Sequence, residues 1–226
     1  MIIDELPHIL QGFWLNIRLA IYAGLIALVL GVVLAGFRVS PVPILRWIGA
    51  SWVNVFRNTP LTLIIFFCLF GLSYQLHLNL SDNIPTNNFW LAVIGFSVYT
   101  ASFVCEVMRA GINTVPPGQA EAARSLGLSF MQNLRLVVLP QALRAVIAPM
   151  GSVYIALVKN TTICVTIGVT TASQVNDTAG QMKSLLEIYA DKIWLIFAVF
   201  AVGYMIITLP MGFLTSWAAK KWGVLR

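Results

Sequence analysis

The sequence predicts an all-α integral membrane protein of about five transmembrane helices, and three observations carry that reading. Of its 226 residues 59% are hydrophobic and only 10% are charged, against roughly 45–50% and about 25% in soluble globular domains. The mean hydropathy is +0.86, more apolar surface than one water-soluble core of this size can hide. Uncharged runs near the ~20 residues needed to span a bilayer recur along the chain, and the basic residues gather in alternate connectors between them.

Taken in order, residues 19–37 form the first run, bracketed by Arg18 and Arg38, and the first span is expected over about 12–37. The second, about 60–78, is entered by Thr59-Pro60, a position where proline is tolerated because the first turn needs no N–H from it. The third, about 89–110, reaches the charged pair Glu106 and Arg109. The fourth, about 142–169, is interrupted by Lys159-Asn160-Thr161-Thr162. The fifth, 193–219, carries no charge and can cross with some tilt. No internal repeat or low-complexity stretch divides residues 1–226, so one transmembrane domain is expected.

Charge placement sets the orientation. Arg38, Arg46 and Arg57 lie in the 38–57 connector, Arg109, Arg124, Arg135 and Arg144 in 109–144, and Lys220, Lys221 and Arg226 in the tail. The alternate set holds only Lys183 and Lys192, in 170–192, where Asp177, Glu187 and Asp191 offset them. The positive-inside bias therefore puts the N-terminus outside and the C-terminus in the cytoplasm. Tryptophans near the span ends suit the two interfaces. The net charge of +6 follows from these connectors. No basic stripe with interleaved aromatics points to nucleic acid.

Other function classes find little support. Cys68, Cys105 and Cys164 have no metal or redox spacing and read as small buried hydrophobes. His8 and His77 fall near the expected outer face as interfacial polar residues. The first 17 residues carry Asp4 and Glu5 but no Lys or Arg, unlike a signal peptide. There is no Ser/His/Asp set, and without a phosphate-binding Gly-x4-Gly-Lys-Ser/Thr loop nothing here is expected to bind ATP. No catalytic residue, metal site or enzyme activity is expected on this chain.

The connector at about 115–140 differs from a plain loop. Pro116-Pro117 ends the preceding helix, and 119–126 is rich in strong helix formers. Gly127 can stop that helix in a left-handed cap. Ser129 is a suitable N-cap for a second helix, and Pro140 marks a break or kink. Two short helices joined at a glycine form a knob; the bland alternative is an ordinary surface hairpin.

Here a resemblance becomes specific. Glu121-Ala122-Ala123, three residues, Gly127, nine residues, then Val137-x-Leu139-Pro140 is very similar to the EAA loop of binding-protein-dependent ABC import permeases, departing only in Val137 for isoleucine. Arg57-Asn58-Thr59-Pro60-Leu61, with Phe66-Phe67 and Phe70-Gly71-Leu72, resembles the second helix of the polar amino-acid branch. Glu106-Val107-Met108-Arg109-Ala110-Gly111 resembles its Glu-x-x-Arg-Gly-Gly segment. The likeness implies that the knob is a coupling helix seated in a cleft of a separate cytoplasmic ABC ATPase dimer, with Glu121, Ala122, Ala123, Arg124, Gly127 and Pro140 as coupling residues. It further implies ATP and magnesium on that ATPase, a second permease subunit, like or unlike this one, and an extracytoplasmic amino-acid-binding protein, all at the bacterial cell membrane. The physical reading agrees: Ala122 and Ala123 allow close approach, and Glu121 is expected near a helix start, where the dipole favours it.

Charges at membrane depth complete the expectations. Arg18 can snorkel to the headgroups. Glu106 and Arg109, one turn apart, can pair as a structural or gating brace. Lys159 falls about 20 Å along the fourth span, followed by polar residues that would be costly facing lipid. The resemblance places a substrate path here, with Lys159, Asn160, Thr161 and Tyr154, and with Gly71 and Ser73 from the second span. Asn160 stands where many relatives have aspartate, and Val153 where polar or acidic residues are frequent, so the path keeps a cation and lacks the usual anion. Glutamate or aspartate is the expected substrate, ahead of glutamine and then basic amino acids. A purely structural role for Lys159, bonding carbonyls of a neighbouring helix, is the alternative. A stand-alone secondary transporter or channel would need no such knob, and five spans without a repeat fit it poorly.

Overall fold

A computed structural model describes residues 2–171 and 173–223; Arg226, counted above with the basic tail, lies outside them. The described residues are helical almost throughout, with a single isolated antiparallel bridge between Thr170 and Asn176. α1 (Ile2–Val39) runs without a break. It starts well before the expected boundary at 12 and is about 57 Å long at 1.5 Å per residue. α4 (Ile84–Asn113) is the central helix. Its start follows local rules: the Asn83 side chain accepts from the Thr86 N–H, and Pro85 occupies the first turn. α4 buries Ala92, Val93, Phe96, Ala101, Val104 and Cys105 completely. It lies close to α1 because Gly31 leaves room: a Cβ there would come within 2.5 Å of Val104.

The direction of each helix follows from which residues meet. Ser97 donates to the Ala23 carbonyl and Val104 meets Gly31, so α1 and α4 run the same way. Tyr154 donates to the Gly24 carbonyl and Thr161 bonds Asn16, so α7 (Leu139–Asn160) runs oppositely. α9 (Ile193–Trp222) returns alongside α7, Thr215 meeting Gly151 and Tyr204 meeting Asn16. The ends of α1 and α4 that carry Arg38 and Arg109 therefore share one end of the bundle with the 115–140 connector; α8 (Thr178–Ile188) lies at the other.

The second expected span, about 60–78, is entered from a helix rather than from a loop. Residues 38–57, read as a connector, are mostly helix: α2 spans Pro43–Asn58. It is followed by α3 (Leu61–Phe66), which widens into a π-helix over Phe67–Gln75. The two meet at 102°, and only together are they long and apolar enough to cross a membrane. The break follows from Pro60, which offers no N–H and holds Thr59 extended at φ −92°, ψ 131°. Both halves pack inside: Val53 of α2 with Ala27, Leu34 and Val104, Leu61 and Ile65 of α3 with Leu19 and Leu157.

The fourth crossing stays helical through the polar cluster that interrupts its apolar run. The helix runs through Lys159 to Asn160 and only tightens to 3₁₀ over Thr161–Ile167. Side-chain hydroxyls make this possible: Thr161, Thr162 and Thr166 each donate to the carbonyl three residues back. At its other end Pro140 causes no break. A π-turn over Leu134–Val138 precedes it, and the wider turn makes room for the proline ring and its missing donor.

Candidate functional site

The 115–140 knob is assembled from local rules. α5 spans Pro117–Ser125. It ends in a Schellman arrangement, with Leu128 N–H to the Ala123 carbonyl (3.2 Å) and Gly127 N–H to the Arg124 carbonyl (2.9 Å). This needs a left-handed residue, and Gly127 supplies it at φ +83°. α6 (Phe130–Asn133) opens on a capping box: Ser129 accepts from the Gln132 N–H, and the Gln132 side chain accepts from the Ser129 N–H. Two side-chain bonds fix the pair to itself and to the bundle, Asn133 Nδ2 to the Ala120 carbonyl at 2.9 Å and Gln141 Nε2 to Gln119 Oε1 at 2.5 Å.

This geometry divides the expected coupling residues. Glu121 and Ala122 are exposed, whereas Ala123 is buried on the bundle side. Only Ala122 can therefore offer close approach to another molecule; Ala123 holds the knob down. Glu121 lies in the second turn of α5, not at its start, because Pro117 already takes the first helical position. Arg124 leans back along α5, Nε to the Ala120 carbonyl at 3.4 Å. Pro140 stands after the π-turn at the foot of α7. Leu126, which the motif does not include, is 82% exposed at the tip; an apolar residue directly before the turn glycine was the signal for it.

Beside the knob, Glu106 is the hub of a charge cluster. The expected partner Arg109 is only at 4.0 Å, one turn away. The close partner is Arg38 from the end of α1, through Nη1 to Glu106 Oε1, and Arg57 approaches at 3.9 Å from the end of α2. One carboxylate thus ties three helices where the sequence suggested a pair within one. Arg38 and Arg57 mark span ends in sequence, but nothing there shows that they converge.

The expected path residues separate into three places. Lys159 and Asn160 lie on one side of α7, with Lys159 exposed. Asn160 lines a cavity of about 290 Å³ between α4 and α7, shared with Tyr99, Thr100, Ser152, Val153 and Ala156. Ser152 and Asn160 are eight residues apart, two turns and so on one face. Val153 and Asn160, the two positions where the sequence suggested an absent acid, both belong to this lining. Tyr154 and Thr161 face the other way, into α1. Tyr154 bonds the Gly24 carbonyl at 3.1 Å. Thr161 is fully buried in a knot in which the Asn16 amide donates to Thr161, Thr178 and Tyr204 at 3.0, 2.9 and 3.1 Å. Gly71 and Ser73 are elsewhere again. Gly71 lies in the π-helix, its carbonyl accepting from the Leu76 N–H. Ser73 donates to Asn79 Oδ1 at 2.5 Å and accepts from the Asn87 amide at 3.3 Å, holding the turn between the second and third crossings. Lys159 stands between Tyr154 and Thr161 in sequence, so it is level with residues 18–20 of α1 but on the side of α7 turned away from them.

Among the described residues no group of three or more His, Cys, Asp or Glu could hold a metal ion. The arrangement is suited to movement and passage rather than bond chemistry: a rigid knob, a charge cluster linking three helices above it, and a small polar groove farther up α4 and α7.

Comparison with known proteins bears directly on that arrangement. The family model described as "Binding-protein-dependent transport system inner membrane component" matches residues 27–223. The chain is 49% identical over 225 residues to the glutamate transport system permease protein GluC of Corynebacterium efficiens, covering 97% of this chain and 96% of the relative. It is 50% identical over 211 residues to GluC of Corynebacterium glutamicum, covering 91% and 90%. A solved structure titled "Crystal structure of an amino acid ABC transporter with histidines" superposes with a TM-score of 0.83 at 25% identity, over 97% of this chain and 96% of that one.

Proposed function

The chain belongs to the family of binding-protein-dependent transport system inner membrane components, and on that premise we propose that it is the permease subunit through which an ATP-driven importer takes up glutamate. It is a multi-pass protein of the bacterial plasma membrane. The observation that carries the substrate assignment is the near 50% identity to two glutamate permeases over most of the chain.

The work is divided along the bundle. The knob at the Arg38–Arg109 end is cytoplasmic and docks an ABC ATPase dimer, which binds ATP and magnesium. Glu121, Ala122 and Leu126 form the docking face, and the Schellman turn at Gly127 keeps it stiff. Closure of the ATPase pair pulls on the knob, and the π-turn before Pro140 passes that pull into α7. Glu106 links the same movement to α1 and α2 through Arg38 and Arg57. Such a rigid-body shift opens the bundle alternately to each side. An extracytoplasmic binding protein delivers the amino acid at the α8 end. A second permease chain, like or unlike this one, completes the path; α9 leaves Trp194, Phe197, Ile206 and Phe213 exposed for lipid or for that chain.

Within the α4–α7 groove, Asn160, Ser152 and Thr100 give the substrate neutral hydrogen-bond partners, and Lys159 on the adjoining face gives it a cation. With valine at 153 there is no acid in the lining to receive a guanidinium or imidazolium, whereas a second carboxylate gains charge-assisted bonds. Uptake of labelled glutamate into vesicles holding permease, ATPase and binding protein tests this. Unlabelled glutamate and aspartate are expected to compete, arginine and histidine to compete far less. Lys159→Met is expected to reduce glutamate uptake about tenfold, in keeping with the loss of one charge-assisted bond. Arginine competing best, with normal glutamate uptake by Lys159→Met, defeats the electrostatic assignment.

A further inference from the structure

The end of the bundle that carries the knob also encloses a cavity of about 420 Å³ between the last turns of α1 and α4 and the α5–α6 pair. Three arginines from three elements line it: Arg38, Arg109 and Arg124. The charge in this corner is unbalanced, because the single carboxylate nearby, Glu106, already serves Arg38, Arg57 and Arg109 together. Arg124 spends only its Nε, on a backbone carbonyl. A concave site with several guanidinium groups and one shared counter-charge is a receptor for an anion, and arginine forks match phosphate oxygens.

A second observation comes from Asn133, which lines the same cavity. It is 6% exposed. Its amide nitrogen is used by the Ala120 carbonyl, but its carbonyl oxygen is buried with no hydrogen-bond partner. That oxygen is sealed from the cavity, so Asn133 serves to fix the α5–α6 pair as one wall of it rather than to bind. The cavity thus asks for a phosphate at its arginines. Apart from Asn113 its remaining wall is apolar, with Ile112 and Val138 inside and half-exposed Phe130 at the rim. The site lies where the apolar parts of α1 and α4 end, the level of lipid headgroups.

We propose that this cavity binds the headgroup of an anionic phospholipid of the phosphatidylglycerol type, its phosphate between Arg38, Arg109 and Arg124. Basic pockets between helix ends at the cytoplasmic face are suited to such headgroups. The bound lipid acts as a wedge between the knob and the ends of α1 and α4, and this holds whichever amino acid is carried. It seats the lever on the bundle and makes the knob's position sensitive to the composition of the inner leaflet.

The test titrates the delipidated permease, purified in detergent with its partner subunits, with phosphatidylglycerol, phosphatidylcholine or sn-glycerol 3-phosphate, reading bound ligand by native mass spectrometry. Phosphatidylglycerol is expected to bind at least tenfold tighter than phosphatidylcholine. Arg109→Gln and Arg124→Gln are each expected to weaken it about fivefold, which is what about 1 kcal/mol per basic residue amounts to. Arg124→Gln lies on the exposed helix α5 and cannot unfold the bundle, so its loss of binding is free of that ambiguity. Equal affinity for the two lipids, or full affinity in both variants, overturns the proposal. Glycerol phosphate matching phosphatidylglycerol overturns it too, by assigning the cavity to a soluble phosphate ester.

Discussion

α5 and α8 are both short helices that leave the bundle's long axis, one at each end, and they are held in opposite ways. α8 is inserted. Its N-cap Asp177 is 2% exposed, Thr178 and Leu185 are buried, and the Thr178 N–H and hydroxyl are bonded by Asn16 of α1 and Tyr204 of α9. α5 is presented. Ala123 alone is buried, and the helix is held by its own Schellman turn and by bonds from Asn133 and Gln141. The contrast teaches that the end bearing α8 is a dry knot of neutral hydrogen bonds that sets how α1, α7 and α9 sit together. The end bearing α5 is wetter and charged, with an exposed apolar tip for a partner. A lever must be stiff within itself and loosely seated, whereas a knot must be neither.

The comparison breaks outright if the two ends are not on opposite sides of the membrane. Single cysteines at Asp82 and Ser173, both exposed, in a background lacking the three native cysteines, are expected to label from outside with an impermeant maleimide. One at Ser125 is expected to stay unlabelled in intact cells. Labelling there removes the ATPase-docking role of α5.

Next in size is Asn16→Leu. It strips the α8 knot of its central amide and strands the Thr178 N–H. The expected cost is about 3 kcal/mol, roughly 6–12 °C in Tm for a chain of this size. Leu126→Ala at the tip of α5 is expected to stay within about 0.5 kcal/mol. Equal losses in the two variants contradict the division into knot and lever.

Gly127→Val is expected to act the other way round. A β-branched residue at φ +83° costs about 1–2 kcal/mol, but the strain falls on the knob alone. Tm should move by no more than about 8 °C, while substrate-stimulated ATP hydrolysis and uptake fall together about tenfold or more. If hydrolysis in reconstituted vesicles is unchanged, the knob is only a connector.

The last effect, dependent on pH, concerns Asp177. Burial pushes its carboxyl up to about 6 from 3.8, although the Ala179 and Gly180 N–H groups oppose the shift. A carboxyl raised on folding binds more protons in the folded state, so stability is greatest below about pH 3.8 and falls as pH rises through 6. The span amounts to about 2–3 kcal/mol. Asp177→Asn keeps an N-cap and is expected to flatten the dependence of Tm on pH between 4 and 7. A slope that survives the substitution assigns the titration to another group.

Much of the molecule was legible in sequence because it is written locally. Runs of apolar residues near 20 long can only be satisfied in lipid as helices, and the alternating arginines ordered them. The knob was legible almost residue by residue, since Ser129 with Gln132 and Gly127 with its flanking carbonyls are rules of a few neighbouring positions. What the sequence could not decide were partners far apart along the chain. α2 looked like a plain connector because its arginines and short length hide a helix that packs on α1 and α4. Lys159-Asn160-Thr161 looked like one cluster, yet a helix turns 100° per residue, so Lys159 and Thr161 lie on opposite sides. Glu106 was paired with Arg109 because that partner was one turn away; Arg38, 68 positions distant, became its partner only when α1 packed on α4. The chain determined by itself that it crosses a membrane and carries a self-capped knob between two crossings, since hydropathy and capping act over one helix or less. Which side chains meet in the groove, the knot and the charge cluster was left to the packing of helices against one another, which no local pattern encodes.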